Sequence, residues 1–93
     1  RPVVFGFRVF ETYMSQATRA TGKIELPRRG EANIGGHDVT LVGYDDVLRE
    51  FYFKNHAGPQ WGNNGYGTIS YDYAFDPNLA SDFWVPYTLN TTE

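Results

Sequence analysis

The chain has 93 residues, of which 41% are hydrophobic and 17% aromatic, with a net charge of −3 and no cysteine. That length bounds it to one small domain, and the charge gives no electrostatic footprint for nucleic acid or an anionic membrane surface. No apolar run approaches the roughly 18 residues of a membrane span, and without Cys these residues hold no disulfide, thiolate metal site or cysteine nucleophile.

In chain order, "PVVFGFRVF" (2–10) is apolar throughout except for Arg8 and rich in β-branched and aromatic residues, which predicts a strand buried on both faces. Arg1 opens the chain with no signal-like segment before this run, so we expect a processed piece. "ETYMSQATRA" (11–20) has weak helical spacing at Tyr13, Met14 and Ala17 and ends before Gly22, predicting one short helix. "KIELPRRGEANIGG" (23–36) carries Pro27, Gly30, Gly35 and Gly36 and reads as a solvated loop. "HDVTLVGY" (37–44) and "EFYFKN" (50–55) are strand-like runs separated by "DDVLR". "HAGPQWGNNGYG" (56–67) has turn chemistry at Asn63, Asn64 and Gly65, and "YGTISYDYAF" (66–75) alternates as a further strand. "DPNLASDF" (76–83) is a turn region, and Pro86 confines "WVPYTL" (84–89) to an edge or a bulge. The expected architecture is a mainly β domain, an antiparallel half-barrel with one short helix.

Chemistry enters through the hairpin on either side of "DDVLR". Centred at Asp46, it pairs Val39 with Phe53, Leu41 with Phe51 and His37 with Asn55 on one face, and Asp38 with Lys54 and Thr40 with Tyr52 on the other. An asparagine oxygen accepting from the imidazole would fix the tautomer of His37 and leave its other nitrogen to act on a neighbour. That is a base and its orienter without a nucleophile. Taken alone, such a pair is most often a satisfied structural contact. A metal site is not expected, since His56 falls on the opposite strand face from His37. The glycine-rich 56–67 segment lacks the lysine and following helix of a phosphate loop. Tyr71, Tyr73 and Trp84 would suit a sugar platform only if exposed, and burial is the commoner fate of sheet aromatics. "NTT" (90–92) matches a glycosylation acceptor.

Two motifs carry a resemblance. In "NHAGPQWGNNGYG", Asn55, Gly58, Trp61, Gly62, Gly65 and Tyr66 fall in step with the N-S-W-G-x-x-W-G-x-x-G-Y motif of the papain-like cysteine peptidases. "GGHDVTLVGYDD" resembles the G-H-A-V-x-x-V-G-Y segment of the same family. "PVVFGFRVFETYM" and "LASDFW" look like bacterial-type members, so the resemblance covers nearly the whole chain. It implies that residues 1–93 form the C-terminal β lobe of a C1-type peptidase, with the Cys-bearing helical lobe lying elsewhere.

On that resemblance His37 is the catalytic base, Asn55 orients it, and Trp61 lines the substrate cleft on the leaving-group side. Asp38 stands where the family has a small apolar residue beside its main specificity pocket. There it would favour a basic side chain, whereas pairing with Lys54 would remove it from the pocket. Ala57 replaces the tryptophan that shields the His–Asn hydrogen bond in the family. The implied partners are a peptide or protein substrate and the missing lobe, and the implied setting is secreted or periplasmic, with no cofactor. The isolated chain would be inactive and, through an uncovered apolar face, prone to self-association. A non-catalytic papain-like binding or regulatory domain is the alternative.

Overall fold

The computed structural model describes residues 3–80 and the Val85–Pro86 strand. Among the described residues six strands form one open sheet: β1 (Val3–Phe10), β2 (Lys23–Ile24), β3 (Asn33–Asp45), β4 (Glu50–Lys54), β5 (Tyr66–Ser70) and β6 (Val85–Pro86). Their spatial order is β2-β5-β4-β3-β1-β6, antiparallel throughout except that β2 runs parallel to β5. The mainly β architecture expected from the sequence is therefore present.

Period-two patterning builds the core. Phe5, Phe7 and Val9 of β1 face Val39 and Leu41 of β3, Phe53 of β4 and Ile69 of β5 within one buried cluster. The opposite face of β1 is less enclosed than its composition suggests, because Val4 and Arg8 are only half-buried. Arg8 spans that face to donate to the carbonyl oxygen of Asn78 at 2.9 Å.

The predicted single helix divides in two. Glu11–Met14 form a 3-10 turn, Ser15 is extended, and α1 (Gln16–Thr21) begins after it. Ser15 breaks the run because its hydroxyl accepts from the Thr18 backbone N–H at 3.1 Å, serving as an N-cap. Gly22 then closes α1 in the left-handed conformation, at φ 76°. Its backbone lies so close to Gly62 and Gly67 that a Cβ there would meet the Tyr66 carbonyl oxygen at 2.5 Å.

Several boundaries differ from expectation. The segment 23–36 is not all loop, since Lys23 and Ile24 pair with Thr68 and Ile69, and β3 starts four residues before His37. Residues 66–75 are not one strand. The Ser70 hydroxyl caps α2 (Tyr71–Ala74) by accepting from the Tyr73 N–H, which turns the chain off the sheet. Tyr71 and Tyr73 are consequently buried rather than available as a platform. Trp84 and the 90–92 acceptor lie outside the described residues. The edge position expected for Pro86 is observed, opposite Val3.

The hairpin register also needs correction. Thr40 faces Lys54 and Leu41 faces Phe53, and beyond a bulge Gly43 faces Tyr52. The true turn spans four residues, Asp46–Arg49, and Val42 is the extra residue of the bulge. Together these shift the pairing by two positions next to the site. Lys54 is therefore opposite Thr40 rather than Asp38, and its ammonium sits 5.0 Å from the centre of the Tyr66 ring.

Candidate active site

His37 sits on β3 opposite Phe7 of β1, just where β3 extends beyond its pairing with β4. Asn55 immediately follows β4, and its backbone N–H is held by the Gly65 carbonyl oxygen at 2.8 Å. The glycine-rich turn after Asn55 is thus the device that fixes it. A shift of two keeps strand parity, so Asn55 still shares a face with His37 although it is not directly opposite. The imidazole spans the diagonal, and His37 Nε2 lies 2.7 Å from Asn55 Oδ1.

The surrounding contacts define the protonation of the pair. Asn55 Oδ1 also accepts from the His56 backbone N–H at 2.8 Å. Asn55 Nδ2 donates to the Tyr13 hydroxyl at 3.1 Å. An amide oxygen only accepts, so Nε2 is the nitrogen that carries the proton in neutral His37. Nδ1 is left as the basic nitrogen, with no hydrogen-bond partner among the described residues. Asn55 is 2% exposed, whereas His37 is half-buried, so a protected orienter supports a reachable base.

Aromatic rings form a closed circuit around this pair. Phe7 and His37 meet at nearly a right angle with centroids 5.8 Å apart, and the Tyr13 ring is tilted against the imidazole at 5.5 Å. Trp61 lies 6.2 Å from Tyr13 and 5.9 Å from Phe53, and Phe53 returns to Phe7 at 6.3 Å. All are within the range of favourable ring contacts. Trp61 is 7% exposed and belongs to the core cluster, backing Tyr13. Ala57 is exposed and contributes no cover.

Tyr13 was not among the residues singled out by sequence. Its position is held by Glu31, whose carboxylate accepts from the backbone N–H of Thr12 at 2.8 Å, from the Thr12 hydroxyl, and from the Arg28 N–H at 2.8 Å. These donors, the Thr12 hydroxyl first, hold the Glu31 carboxyl below its ordinary value. Arg28 thus takes part through its backbone in an acidic contact within the chain. A sign of Tyr13's position was present in Ser15, whose capping preference separates residues 11–14 from the following helix.

Beside His37 an open concavity of about 660 Å³ is lined by Arg8, Asn33, Gly35, Gly36 and Asp38 among others. Asp38 is exposed on its wall, opposite Gly6 of β1. No group of three or more His, Asp or Glu side chains placed to hold a metal occurs among the described residues.

This geometry has counterparts among known proteins. The structure superposes on xylellain, a cysteine protease from Xylella fastidiosa, with a TM-score of 0.79 and 39% identity, covering 90% of this chain and 31% of that one. The chain has the fold of the papain-like cysteine peptidases. Its papain-like character extends to sequence relatives with C1 peptidase names. A peptidase C1-like protein of Acanthamoeba polyphaga mimivirus is 49% identical over 84 residues, 90% of this chain and 27% of the relative. A cathepsin B-like protein of Giardia intestinalis is 44% identical over 43 residues, 43% of this chain and 14% of that protein. The chain therefore spans about a third or less of the papain-like proteins it matches. No family profile matches it.

Proposed function

We propose that this chain is the His- and Asn-bearing C-terminal lobe of a longer cysteine peptidase that hydrolyses peptide bonds, the cysteine being supplied by the remainder of the protein. The observation that carries the reading is the 2.7 Å contact from His37 Nε2 to a buried Asn55 whose amide is held on both sides. It leaves Nδ1 as the nitrogen that takes the thiol proton. The thiolate then attacks the peptide carbonyl carbon, and the imidazolium returns its proton to the leaving amine. Water, activated by the same nitrogen, releases the acyl group and restores the thiol. Asn55 keeps the imidazole oriented through both half-reactions.

Trp61 supports this site from behind Tyr13. Asp38, exposed on the concavity wall, favours substrates with a basic side chain at the adjoining position.

The test is to label the full-length protein with a thiol-directed epoxide, in parallel with His37→Ala. Rapid labelling that falls at least tenfold in the variant supports the reading. Undiminished labelling in His37→Ala refutes a thiolate activated by this imidazole, and a parent without a reactive thiol points instead to a papain-like binding domain.

A further inference from the structure

We infer that the Glu31 carboxylate is a positioning residue for the active site, fastening Thr12 so that Tyr13 closes the His37–Asn55 hydrogen bond off from water. The effect on catalysis rests on the peptidase reading above, while the closure stands on geometry alone. Asn55 is 2% exposed although residues 56–60, which follow it, are all exposed and lend it no cover. Cover comes from Tyr13, whose hydroxyl oxygen lies 3.1 Å from Asn55 Nδ2 and 3.3 Å from His37 Nε2. Whichever way that hydroxyl proton points, the oxygen occupies the place a water would take beside the pair. The ring behind it lies 5.5 Å from the imidazole and 6.2 Å from Trp61.

Tyr13 carries this cover on a four-residue turn, Glu11–Met14, which buries none of its residues and has no side-chain cap. The turn is held through Thr12, whose carbonyl oxygen accepts from the Ser15 N–H at 3.0 Å and from the Thr18 hydroxyl at 3.2 Å. On its other side Thr12 gives both its donors to Glu31, the N–H to Oε1 at 2.8 Å and the hydroxyl to Oε2. Oε2 also accepts the Arg28 N–H at 2.8 Å, which ties the carboxylate to its own turn. Two backbone N–H groups, one on each oxygen, are a demand that a carboxylate meets and an amide, with one acceptor atom, does not. Arg28 and Arg29 precede Glu31 closely, yet the one ion pair among the described residues is Arg49–Asp72, so the carboxylate serves Thr12 instead. Without this clasp the turn is fastened on one side alone, Tyr13 swings away, and water competes for Nε2–H and Oδ1. A hydrogen bond shared with water fixes the imidazole less firmly than a dry one, so Nδ1 spends less time aimed at the thiol.

Glu31→Gln tests the clasp, because glutamine keeps the size of the side chain and accepts only one of the two N–H groups. Glu25→Gln is the control, removing the same charge at an exposed site in the same connection between β2 and β3. In the full-length protein carrying 15N-histidine, exchange of the His37 Nε2 proton with water reports the cover, and His37→Ala assigns the signal. Nε2 keeps this proton in the neutral and the charged imidazole alike, so the rate reads access and not charge. Glu31→Gln is expected to speed exchange about fivefold, the equilibrium value of one net hydrogen bond, and Glu25→Gln to leave it unchanged. In the peptidase, kcat on a peptide reporter falls by a similar factor while KM stays fixed. In a Tyr13→Ala background, where the cover is already gone, Glu31→Gln is expected to add nothing. An equal effect in both backgrounds overturns the route through Tyr13, and so does unchanged exchange in Glu31→Gln. Thr12→Val removes the hydroxyl donor alone and should give a smaller rise; it decides the matter if Glu31→Gln does not fold, and no rise there refutes the clasp. Faster exchange in Glu31→Gln of a protein whose thiol does not label would sink the peptidase reading and leave the clasp standing. Unchanged exchange in a protein that labels rapidly overturns the clasp alone.

Discussion

Gly67→Ala is the most discriminating single methyl in the fold. An ideal Cβ at this position would lie 2.3 Å from the Gly22 carbonyl oxygen, 2.7 Å from Phe53 Cζ and 2.9 Å from Trp61 Cη2. None of these atoms is the free end of a flexible side chain. The Gly22 oxygen accepts the Thr68 N–H at 2.9 Å, so retreat would weaken a bond between β5 and the end of α1. Overpacking of a tight site costs about 1–3 kcal/mol, and the weakened hydrogen bond adds about 1 kcal/mol. We therefore expect a loss of roughly 3 kcal/mol, a large share of the stability of a domain this size. Gly36→Ala is the control. That Cβ meets nothing within 4 Å and the backbone there is not left-handed, so the change is neutral or stabilising by up to about 1 kcal/mol. Equilibrium urea unfolding of both variants, followed by tryptophan fluorescence, makes the comparison. Equal midpoints for the two would refute the claim that the backbones of Gly22 and β5 are in contact.

Further outcomes follow from other contacts. The Glu31 carboxyl titrates below its ordinary value, so its contribution is present above the unfolded value near 4.5 and is lost as pH falls through the lower folded value. Glu31→Gln should flatten the stability–pH curve in that acidic window, as read by unfolding midpoints between about pH 3 and 5. Ser15→Ala removes the N-cap of α1 and should cost about 1 kcal/mol in the same urea assay, whereas an unchanged midpoint would deny the cap any weight. The Tyr71 hydroxyl donates to Asp46 at 2.6 Å, and this bond is the main cause of a pKa pushed up to about 12. Asp46→Asn should bring its ultraviolet titration back toward 10; stability tied to this raised value is present below 10 and fades as pH climbs through 12. On the peptidase reading, Asp38→Ala should cut kcat/KM roughly tenfold for peptides with a basic side chain at the adjoining subsite and leave apolar peptides unchanged.

The pairing of His37 with Asn55 could be read from sequence even though the register could not. Apolar alternation through Val39, Leu41 and Phe53 fixes strand parity, and parity alone decides which face each side chain shares. The absolute register depends on turn length and on the Val42 bulge, and "DDVLR" encodes neither in its hydrophobic pattern. Residues 66–75 misled for a related reason. The aromatic alternation of a strand continues through Tyr71 and Tyr73, and only the Ser70 cap marks the change to helix. The parallel pairing of Lys23 with Thr68 was hidden because two residues carry no period at all. Tyr13 was hidden more deeply. Its contact with Asn55 exists because the chain before α1 folds onto the sheet and Glu31 fastens it there, and no local pattern announces a contact made across 42 residues.

The pairing of β6 with β1 sets a condition on how this chain is made. Val3 and Val4 are synthesised well before their outer partners, Pro86 and Val85. The β3–β4 hairpin and the β1–β3 ladder can assemble during synthesis, but throughout that interval β1 presents a bare strand edge to its surroundings. When β6 arrives it closes that edge with a residue that has no N–H to offer the next strand. A nascent chain halted before Val85 is thus the aggregation-prone form, and synthesis of β6 is what takes this sheet edge out of danger.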